Sequence, residues 1–276
     1  MTETVASVRA VTERLWPSSG TEPWDAPGLL SGALDAPVTR IHLAVDAVAD
    51  TVAEAIDAAA DLLLVHHPLL LRGVTSVAED RYKGALLARL IRADCALIAA
   101  HTNADTVAEG TSAVFATLLG LTDARPIASA SEADSASGIG IGRIGRLPEA
   151  MTLGRLAQRI AELVPATASG VRAAGEFEMP VSVVALCAGA GDAYLADPAV
   201  READVYITSD LRHHPASEAR EQALIGQGPA LIDVSHWASE WLWLQIAAEQ
   251  LRSALPDATI TVSELRTDPW DFAVVQ

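Results

Sequence analysis

Short apolar runs alternate along the chain with longer segments in which apolar residues recur every three or four positions. The short runs predict buried strands, and the longer segments predict helices that pack through one face. This alternation is typical of an α/β protein with mostly parallel sheets. The predicted strands lie at 41–46, 61–65, 95–100, 142–147, 181–187, 204–208 and 229–234. The predicted helices lie near 3–15, 151–163, 192–202, 215–225 and 236–254.

The pattern occurs in both halves of the chain, and a polar stretch separates them. Residues 121–137 are rich in Ser, Ala and Asp and have no apolar period, which predicts a linker or exposed loop. We therefore predict two similar α/β lobes, 1–124 and 125–276, whose central sheets are flanked by helices. We expect no large inserted domain, and the final strands can pack on the first lobe. Capping boxes predict further helices after Thr51 and Thr106.

Charge and cysteine usage narrow the class of protein. The chain has 19 Lys and Arg against 36 Asp and Glu, a formal net charge of −17, which disfavours binding to nucleic acid. Cys95 and Cys187 lie singly in apolar runs, as buried thiols do in a reducing compartment. The N-terminus lacks the basic and apolar pattern of a signal peptide, and no apolar run is long enough to cross a bilayer. We expect a soluble cytoplasmic protein without a membrane span.

Six of the seven histidines come directly after predicted strands. They are His66, His67, His101, His213, His214 and His236, which follow the runs DLLLV, CALIAA, DVYIT and ALIDV. In open α/β sheets ligands bind beyond the carboxyl ends of the strands. Scattered core or surface histidines would not gather at four such ends, so this placement predicts one shared site.

The spacing within two of these segments suits metal binding. His66 and His67 would point to opposite faces of a regular strand, but Pro68 ends the ladder and lets both imidazoles reach one site. His236 and Glu240 are four residues apart on a predicted helix, so they project from one face. The alternative interpretations are exposed loop histidines and a surface His–Glu pair.

A third segment offers one more carboxylate. His101 and Asp105 have the same four-residue separation, although Asp105 could instead cap the helix predicted to begin near Thr106. His42 lies inside a predicted strand and is interpreted as structural or exposed. The glycines 189 and 191 follow a strand and could hold a phosphate, but a tight turn is the better interpretation.

The candidate ligands combine imidazole and carboxylate without thiolate, which favours Zn, Fe, Mn, Ni or Co over Ca and Mg. The five candidates are His66, His67, Asp105, His236 and Glu240. Five ligands exceed the need of one tetrahedral ion. We therefore predict two divalent ions per chain that share a bridging carboxylate, held between the lobes at the carboxyl ends of the strands.

Several motifs resemble those of the Nif-three-like dinuclear metal-centre proteins. They are HHPLLLRG at 66–73, AHTNAD at 100–105, TSDLRHH at 208–214, DVSHWASE at 233–240, WDAPGLLSG at 24–32 and GRIGRLPEAMTL at 142–153. The resemblance covers nearly the whole chain in the right order. Two departures are Ala26-Pro27, where the family commonly has Asn-Val, and Ser209, where it commonly has Gly.

The resemblance implies two facing lobes and a ring-shaped hexamer whose metal sites open towards its interior. The family's ligand pattern falls on the five candidates named above. Its other pocket residues fall on His101, Asp210 and His214, to which we assign catalytic roles. Many members are described as type-two GTP cyclohydrolase I homologues.

The expected function is therefore a metal-dependent hydrolase of a small molecule, in which a metal-bound hydroxide attacks and His101 or His214 moves protons. With GTP as substrate, attack at purine C8 would open the imidazole ring. The alternative is a non-enzymatic, metal-loaded hexameric scaffold that handles metal or binds a partner. An open coordination position beside a proton-transfer group would distinguish the two. An amidohydrolase barrel would need a His-x-His start, which the sequence lacks.

Overall fold

Two larger β-sheets are flanked by helices, which confirms the α/β class. The computed structural model describes residues 2–226 and 228–274. These residues form two compact units. Unit 1 contains the described residues of Met1–Val107 and Leu244–Thr267, and unit 2 contains those of Ala108–Trp243 and Asp268–Gln276. The predicted lobes, 1–124 and 125–276, stay a prediction.

The main sheet of unit 1 has five strands. In spatial order they are β13 (Thr259–Val262), β4 (Arg40–Asp46), β5 (Leu62–His67), β6 (Ala96–Ala99) and β2 (Gly28–Ser31). The first four run parallel, and β2 pairs antiparallel with β6. A small antiparallel ribbon joins β1 (Glu3–Thr4) to β3 (Pro37–Val38). The helices are α1 (Val5–Leu15), α2 (Ala49–Asp57), α3 (Tyr82–Arg92) and α4 (Thr102–Asp105).

The packing of the core of unit 1 explains why the sequence of β5 begins with four consecutive apolar residues. Leu62, Leu63, Leu64 and Val65 are all fully buried, as expected for a central parallel strand that is covered on both faces. One cluster joins Leu63 and Val65 to apolar residues of α2 and α3. The packing of this strand therefore fixes the positions of its last residues, His66 and His67.

The sheet of unit 2 has six strands. In spatial order they are β7 (Thr122–Arg125), β8 (Arg143–Thr152), β10 (Pro180–Ala190), β11 (Val205–Ser209), β12 (Ala230–Val234) and β9 (Arg172–Ala174). The strands β10, β11 and β12 run parallel, and the other pairings are antiparallel. The helices are α5 (Thr111–Leu118), α6 (Glu132–Ala136), α7 (Leu153–Leu163), α8 (Pro198–Arg201) and α9 (His213–Leu224). A last helix, α10 (His236–Ala254), begins in unit 2 and ends in unit 1.

The structure corrects three local predictions. Residues 121–137 contain strand β7 and helix α6, because an edge strand whose four residues are all exposed shows no apolar alternation. Helix α2 begins earlier than its predicted capping box: Thr51 is its third residue, and its hydroxyl accepts from Val48 N at 3.1 Å. Thr106 is the C-cap of α4 instead of the start of a helix, and Gly110 is the N-cap of α5.

Other predictions agree with the structure. Both cysteines are buried and have free thiols. The helix predicted at 236–254 matches α10. In the described part of the chain, we find no helix with the length and apolar character needed to span a bilayer.

Candidate metal centre

Three imidazoles of unit 1 meet where two neighbouring parallel strands end. His66 and His67 are the last residues of β5, and His101 follows β6 as the N-cap of α4. The candidate ligand atoms of these three histidines lie within 4.8 Å of one another. Thus the doublet and His101, which are separate in sequence, form one cluster.

The orientation of His66 is fixed by the backbone. Its side chain is fully buried, and Nδ1 lies 2.8 Å from Ala100 O. A carbonyl oxygen only accepts, so Nδ1 is the donor and Nε2 carries the lone pair of the neutral ring. Nε2 lies 3.6 Å from Asp105 Oδ1. Two ligands at the Zn–N and Zn–O distances of a tetrahedral ion are about 3.3–3.4 Å apart, so this pair has suitable spacing.

The ring of His67 is oriented by a carboxylate that accepts from its Nδ1. Its Nδ1 donates to Asp46 Oδ1 at 2.7 Å, and Thr267 Oγ1 donates to Asp46 Oδ2 at 2.5 Å. An imidazole that binds metal through Nε2 commonly donates its other N–H to a carboxylate or a carbonyl, which fixes the ring and raises its basicity. Asp46 and Thr267 therefore form such a support for His67.

His101 has a similar support. Its Nδ1 donates to Asp25 Oδ1 at 2.8 Å, while Thr102 N and Oγ1 donate to Asp25 Oδ2 at 3.0 and 2.5 Å. Burial acts to raise the pKa of Asp25, but the hydrogen bonds from His101 and Thr102 outweigh it and hold the pKa well below its usual range. Asp25 is therefore a carboxylate that stabilises either a positive charge or a fixed N–H on His101. The exposed ring of Trp24 lies edge-on to His101, with centroids 5.7 Å apart.

Unit 2 presents a second group at the start of α10. His236 and Glu240 share one face of that helix, and His236 Nε2 lies 2.9 Å from Glu240 Oε1. His236 Nδ1 donates to Asp210 Oδ2 at 2.7 Å. Burial acts to lower the pKa of His236, but Glu240 and Asp210 outweigh it and raise the pKa well above its ordinary value. Two carboxylates around one imidazole attract a cation, either a proton or a metal ion.

Gly189 lies directly against the side chains of His236 and Glu240. Its φ is +70°, and a Cβ built there would lie 2.3 Å from Glu240 Oε1 and 3.2 Å from His236 Nε2. Its N–H donates to Ser239 Oγ at 2.9 Å. Gly189 lies within strand β10 and is therefore not a tight turn or a phosphate loop. Because it has no side chain, the buried Glu240 carboxylate can lie directly against its backbone.

The other predicted pocket residues occupy different surroundings. Asp210 follows β11 with a left-handed φ of +58°, a conformation that Asp tolerates better than most residues. Ser209, which stands where Gly is common, is the buried last residue of β11 and does not take the left-handed position. His214 is exposed in the first turn of α9, and its ring lies edge-on to His213 with centroids 5.2 Å apart.

His42, interpreted as structural or exposed, is structural. It is 4% exposed, and its ring bonds Thr261 Oγ1 at 2.8 Å and Glu54 Oε2 at 3.0 Å. It lies in the middle of β4, away from the end of the strand. This position distinguishes His42 from the other six histidines, which lie at or just beyond the ends of strands.

Sequence reasoning missed the residues that support the imidazoles. Asp46 ends β4 in the manner of the histidines at other strand ends, so the same signal could have found it. Asp25 lies in the segment WDAPGLLSG at 24–32, where no spacing pattern marks it as a partner of a histidine. Thr267 lies 221 residues from Asp46, and no local pattern connects them.

The donor chemistry fits a divalent metal ion. At this candidate centre, His66, His67, His101 and His236 direct Nδ1 to oxygen acceptors, so Nε2 carries the lone pair of each neutral ring. Carboxylates lie beside two of these nitrogens, at Asp105 and Glu240. Both cysteines lie among the apolar core residues. The chain thus has His and carboxylate groups that could hold metal.

Comparisons with known proteins agree with this picture. The sequence profile of the Duf34/NIF3 (NGG1p interacting factor 3) family matches residues 3–269. A Streptomyces coelicolor protein named GTP cyclohydrolase 1 type 2 homolog is 42% identical over 270 residues, which cover 96% of this chain and 93% of that protein. A Clostridium perfringens protein of the same name is 30% identical over 263 residues, covering 95% and 97%.

Solved structures show the same fold. A Staphylococcus aureus hypothetical protein superposes with a TM-score of 0.87 at 27% identity, covering 99% of this chain and 100% of that one. A Bacillus cereus protein related to NIF3 gives a TM-score of 0.88 at 22% identity, with the same coverage. The chain belongs to the Duf34/NIF3 family.

Proposed function

We propose that this protein is a hydrolase that holds two divalent metal ions. The proposed ligands are His66, His67, Asp105, His236 and Glu240. The observation that supports this best is the shared orientation of the histidines: each bonds an oxygen through Nδ1, so that Nε2 is the metal-binding nitrogen. Zn, Fe, Mn, Ni and Co suit this set of donors.

Glu240 is the proposed bridge between the ions. A carboxylate can bind one ion through each oxygen, whereas an imidazole binds through one nitrogen. Glu240 is 3% exposed, and a buried carboxylate needs positive charge close by. Divalent ions held by these residues would supply Lewis acidity and lower the pKa of water at the site.

The remaining residues have roles that follow from their contacts. His101 is proposed as the proton carrier, because Asp25 accepts from its Nδ1 and fixes the orientation of the ring. Asp210 positions His236 through Nδ1, so its role is orientation of a ligand. His214 is proposed as a proton carrier on the substrate side, and its exposure allows contact with a substrate.

GTP is the first substrate to test. This choice rests on the names of the relatives and not on a contact in the structure. Hydrolysis at purine C8 would open the imidazole ring, which changes the ultraviolet spectrum of the base. A panel of other small phosphate esters and cyclic amides extends the test to the wider class of hydrolase substrates.

Metal stoichiometry and hydrolysis in matched variants test the proposal. Glu240→Ala should lose both ions, and His236→Ala should lose mainly one. His214→Ala should keep both ions and lose activity, while His213→Ala, its exposed neighbour, is the matched control. Retention of two tightly bound ions by Glu240→Ala would contradict the proposed architecture. Two ions in the wild type without hydrolysis of any compound in the panel would favour the non-enzymatic scaffold.

We also propose that the protein forms a homo-oligomer larger than a dimer, most simply a hexamer. The family resemblance supports this, as do apolar side chains near the C-terminus: Trp270 is 65% exposed and Phe272 80% exposed. Light scattering coupled to size exclusion measures the assembly. A monomer at micromolar concentration would contradict this proposal without affecting the metal site.

A further inference from the structure

A cavity of about 320 Å³ adjoins His67 in unit 1. Its lining includes Asp46, His67, Leu69, Arg72, Tyr82 and Lys83. The proposed metal ligand His67 and two cationic side chains therefore border one space. A substrate whose reacting group lies at His67 would extend naturally into it.

The charge of this cavity contrasts with that of the whole chain. Lys83 is the single lysine of the sequence, and the chain carries a formal net charge of −17. Some other cations of the chain do face carboxylates, as Arg92 faces Glu79 and Arg212 faces Asp192. Within residues 2–226 and 228–274, neither Arg72 nor Lys83 forms an ion pair. Their positive charge is thus available to the cavity.

Three further features define what the cavity can bind. Asp46 is the acidic residue in the lining of the cavity. Both carboxylate oxygens of Asp46 already accept hydrogen bonds, from His67 and Thr267. Tyr82 and Lys83 begin helix α3, so the positive end of the helix dipole adds to the two cations. The ring of Tyr82 is 67% exposed and offers an aromatic face, with Lys83 Nζ 5.9 Å from its centroid.

We propose that this cavity is the anion subsite of the substrate pocket. Arg72 and Lys83 bind the oxygens of a phosphate or carboxylate group, and Tyr82 contacts the adjoining part of the same molecule. The substrate class is therefore an acidic small molecule. This assignment rests on the proposed function, because it takes His67 as the neighbouring metal ligand.

The single lysine permits a direct measurement. Reductive methylation with ¹³C-formaldehyde labels Lys83 and the α-amino group, whose resonances separate because their pKa values differ. Methylation keeps the positive charge of the lysine. Titration of the metal-loaded and metal-free protein with phenyl phosphate or benzoate should shift the Lys83 resonance, and the neutral probe phenol should not. The response to phenyl phosphate or to benzoate distinguishes a phosphate from a carboxylate subsite.

Variants test the same subsite by calorimetry. Lys83→Met and Arg72→Gln should each weaken binding of the responding anion about tenfold or more, because each removes a charge-assisted hydrogen bond. Arg155→Gln, on the exposed side of α7, is the matched control and should bind as the wild type does. Metal content is measured on every sample.

The outcomes separate the two proposals. A Lys83 shift in a protein that takes up no metal on reloading would overturn the metal centre and leave the anion subsite standing. A metal-loaded protein in which neither anion moves Lys83 would overturn the subsite alone. Equal affinity of wild type, Lys83→Met and Arg72→Gln would overturn it as well, since the anion would then bind elsewhere.

Discussion

Gly189 and Glu240 lie so close together that no side chain fits at position 189. A Cβ on Gly189 would be 2.3 Å from Glu240 Oε1, well inside van der Waals contact. The backbone adds a second constraint, because φ is +70° at this residue. The position of the proposed bridging carboxylate on α10 therefore depends on a glycine in strand β10 of the same unit.

The first prediction concerns Gly189→Ala. The new methyl group must displace the Glu240 carboxylate, and the left-handed backbone adds strain of about 1–3 kcal/mol. We expect a lower melting temperature and a loss of bound metal. Thermal unfolding and elemental analysis measure the two effects.

Gly170→Ala is the matched control for this variant. Gly170 also has a left-handed φ, +59°, but no atom lies within 4 Å of a Cβ built there. The control should lose stability from backbone strain and keep its full metal content. If both variants keep their metal, the contact between position 189 and Glu240 has no functional consequence.

The second prediction concerns Asp46, which accepts the Nδ1 proton of His67. Asp46→Ala should lower metal affinity about 10–100-fold, the usual cost of losing a residue that orients a ligand. Thr267→Val should have a smaller effect in the same direction, because it removes one hydrogen bond to Asp46. Competition with a chromophoric chelator measures affinity.

Asp50→Ala is the control for charge. Asp50 is an exposed carboxylate in the first turn of α2, so its loss removes the same charge without touching an imidazole. We expect unchanged metal affinity and a change in stability of about 0.3–1 kcal/mol from the helix dipole. Equal affinity of Asp46→Ala and Asp50→Ala would show that Asp46 does not support the centre.

The residues at strand ends could be predicted from sequence because their signals are local. A buried apolar run fixes β5, and chain order then places His66 and His67 at its end. The supporting residues could not be predicted in this way. Asp25 lies 76 residues from His101, and their hydrogen bond depends on the tertiary packing of segments without a shared pattern.

The misplaced helix starts have a different cause. Capping boxes are short motifs, and Ser or Thr hydroxyls can bond other nearby backbone groups. Thr106 instead follows α4 as its C-cap, and its Oγ1 donates to Asn103 O at 3.2 Å within the preceding turn. Local motifs therefore found the helices but not their first residues.

The third prediction separates structural from metal-binding histidines. His42→Ala removes a buried ring that bonds Thr261 and leaves Glu54 without this partner. We expect a loss of about 2–4 kcal/mol in the free energy of unfolding, within the range for breaking a buried polar network. Metal content per folded chain should be unchanged, as measured by urea denaturation and elemental analysis. Loss of metal at full stability would assign His42 to the centre.

The fourth prediction concerns Cys95 and alkaline pH. Burial, aided by the nearby negative charge of Asp61 and partly opposed by a hydrogen bond from Leu63, raises the pKa of the Cys95 thiol from 9.0 to about 11. In the unfolded chain the thiol ionises near its ordinary value. The folded state therefore holds the proton more tightly, and its stabilising contribution is complete below about pH 9 and lost as pH rises through 11.

Two measurements test this prediction. Alkylation of Cys95 by iodoacetamide at pH 8 should be far slower in the native protein than in urea, because both access and thiolate fraction fall on burial. The free energy of unfolding of the wild type, relative to Cys95→Ala, should decrease between pH 9 and 11. This comparison cancels the titration of other groups, including Tyr206, whose pKa is also raised by burial. A difference that stays constant over this range would show that Cys95 ionises at the same pH in both states.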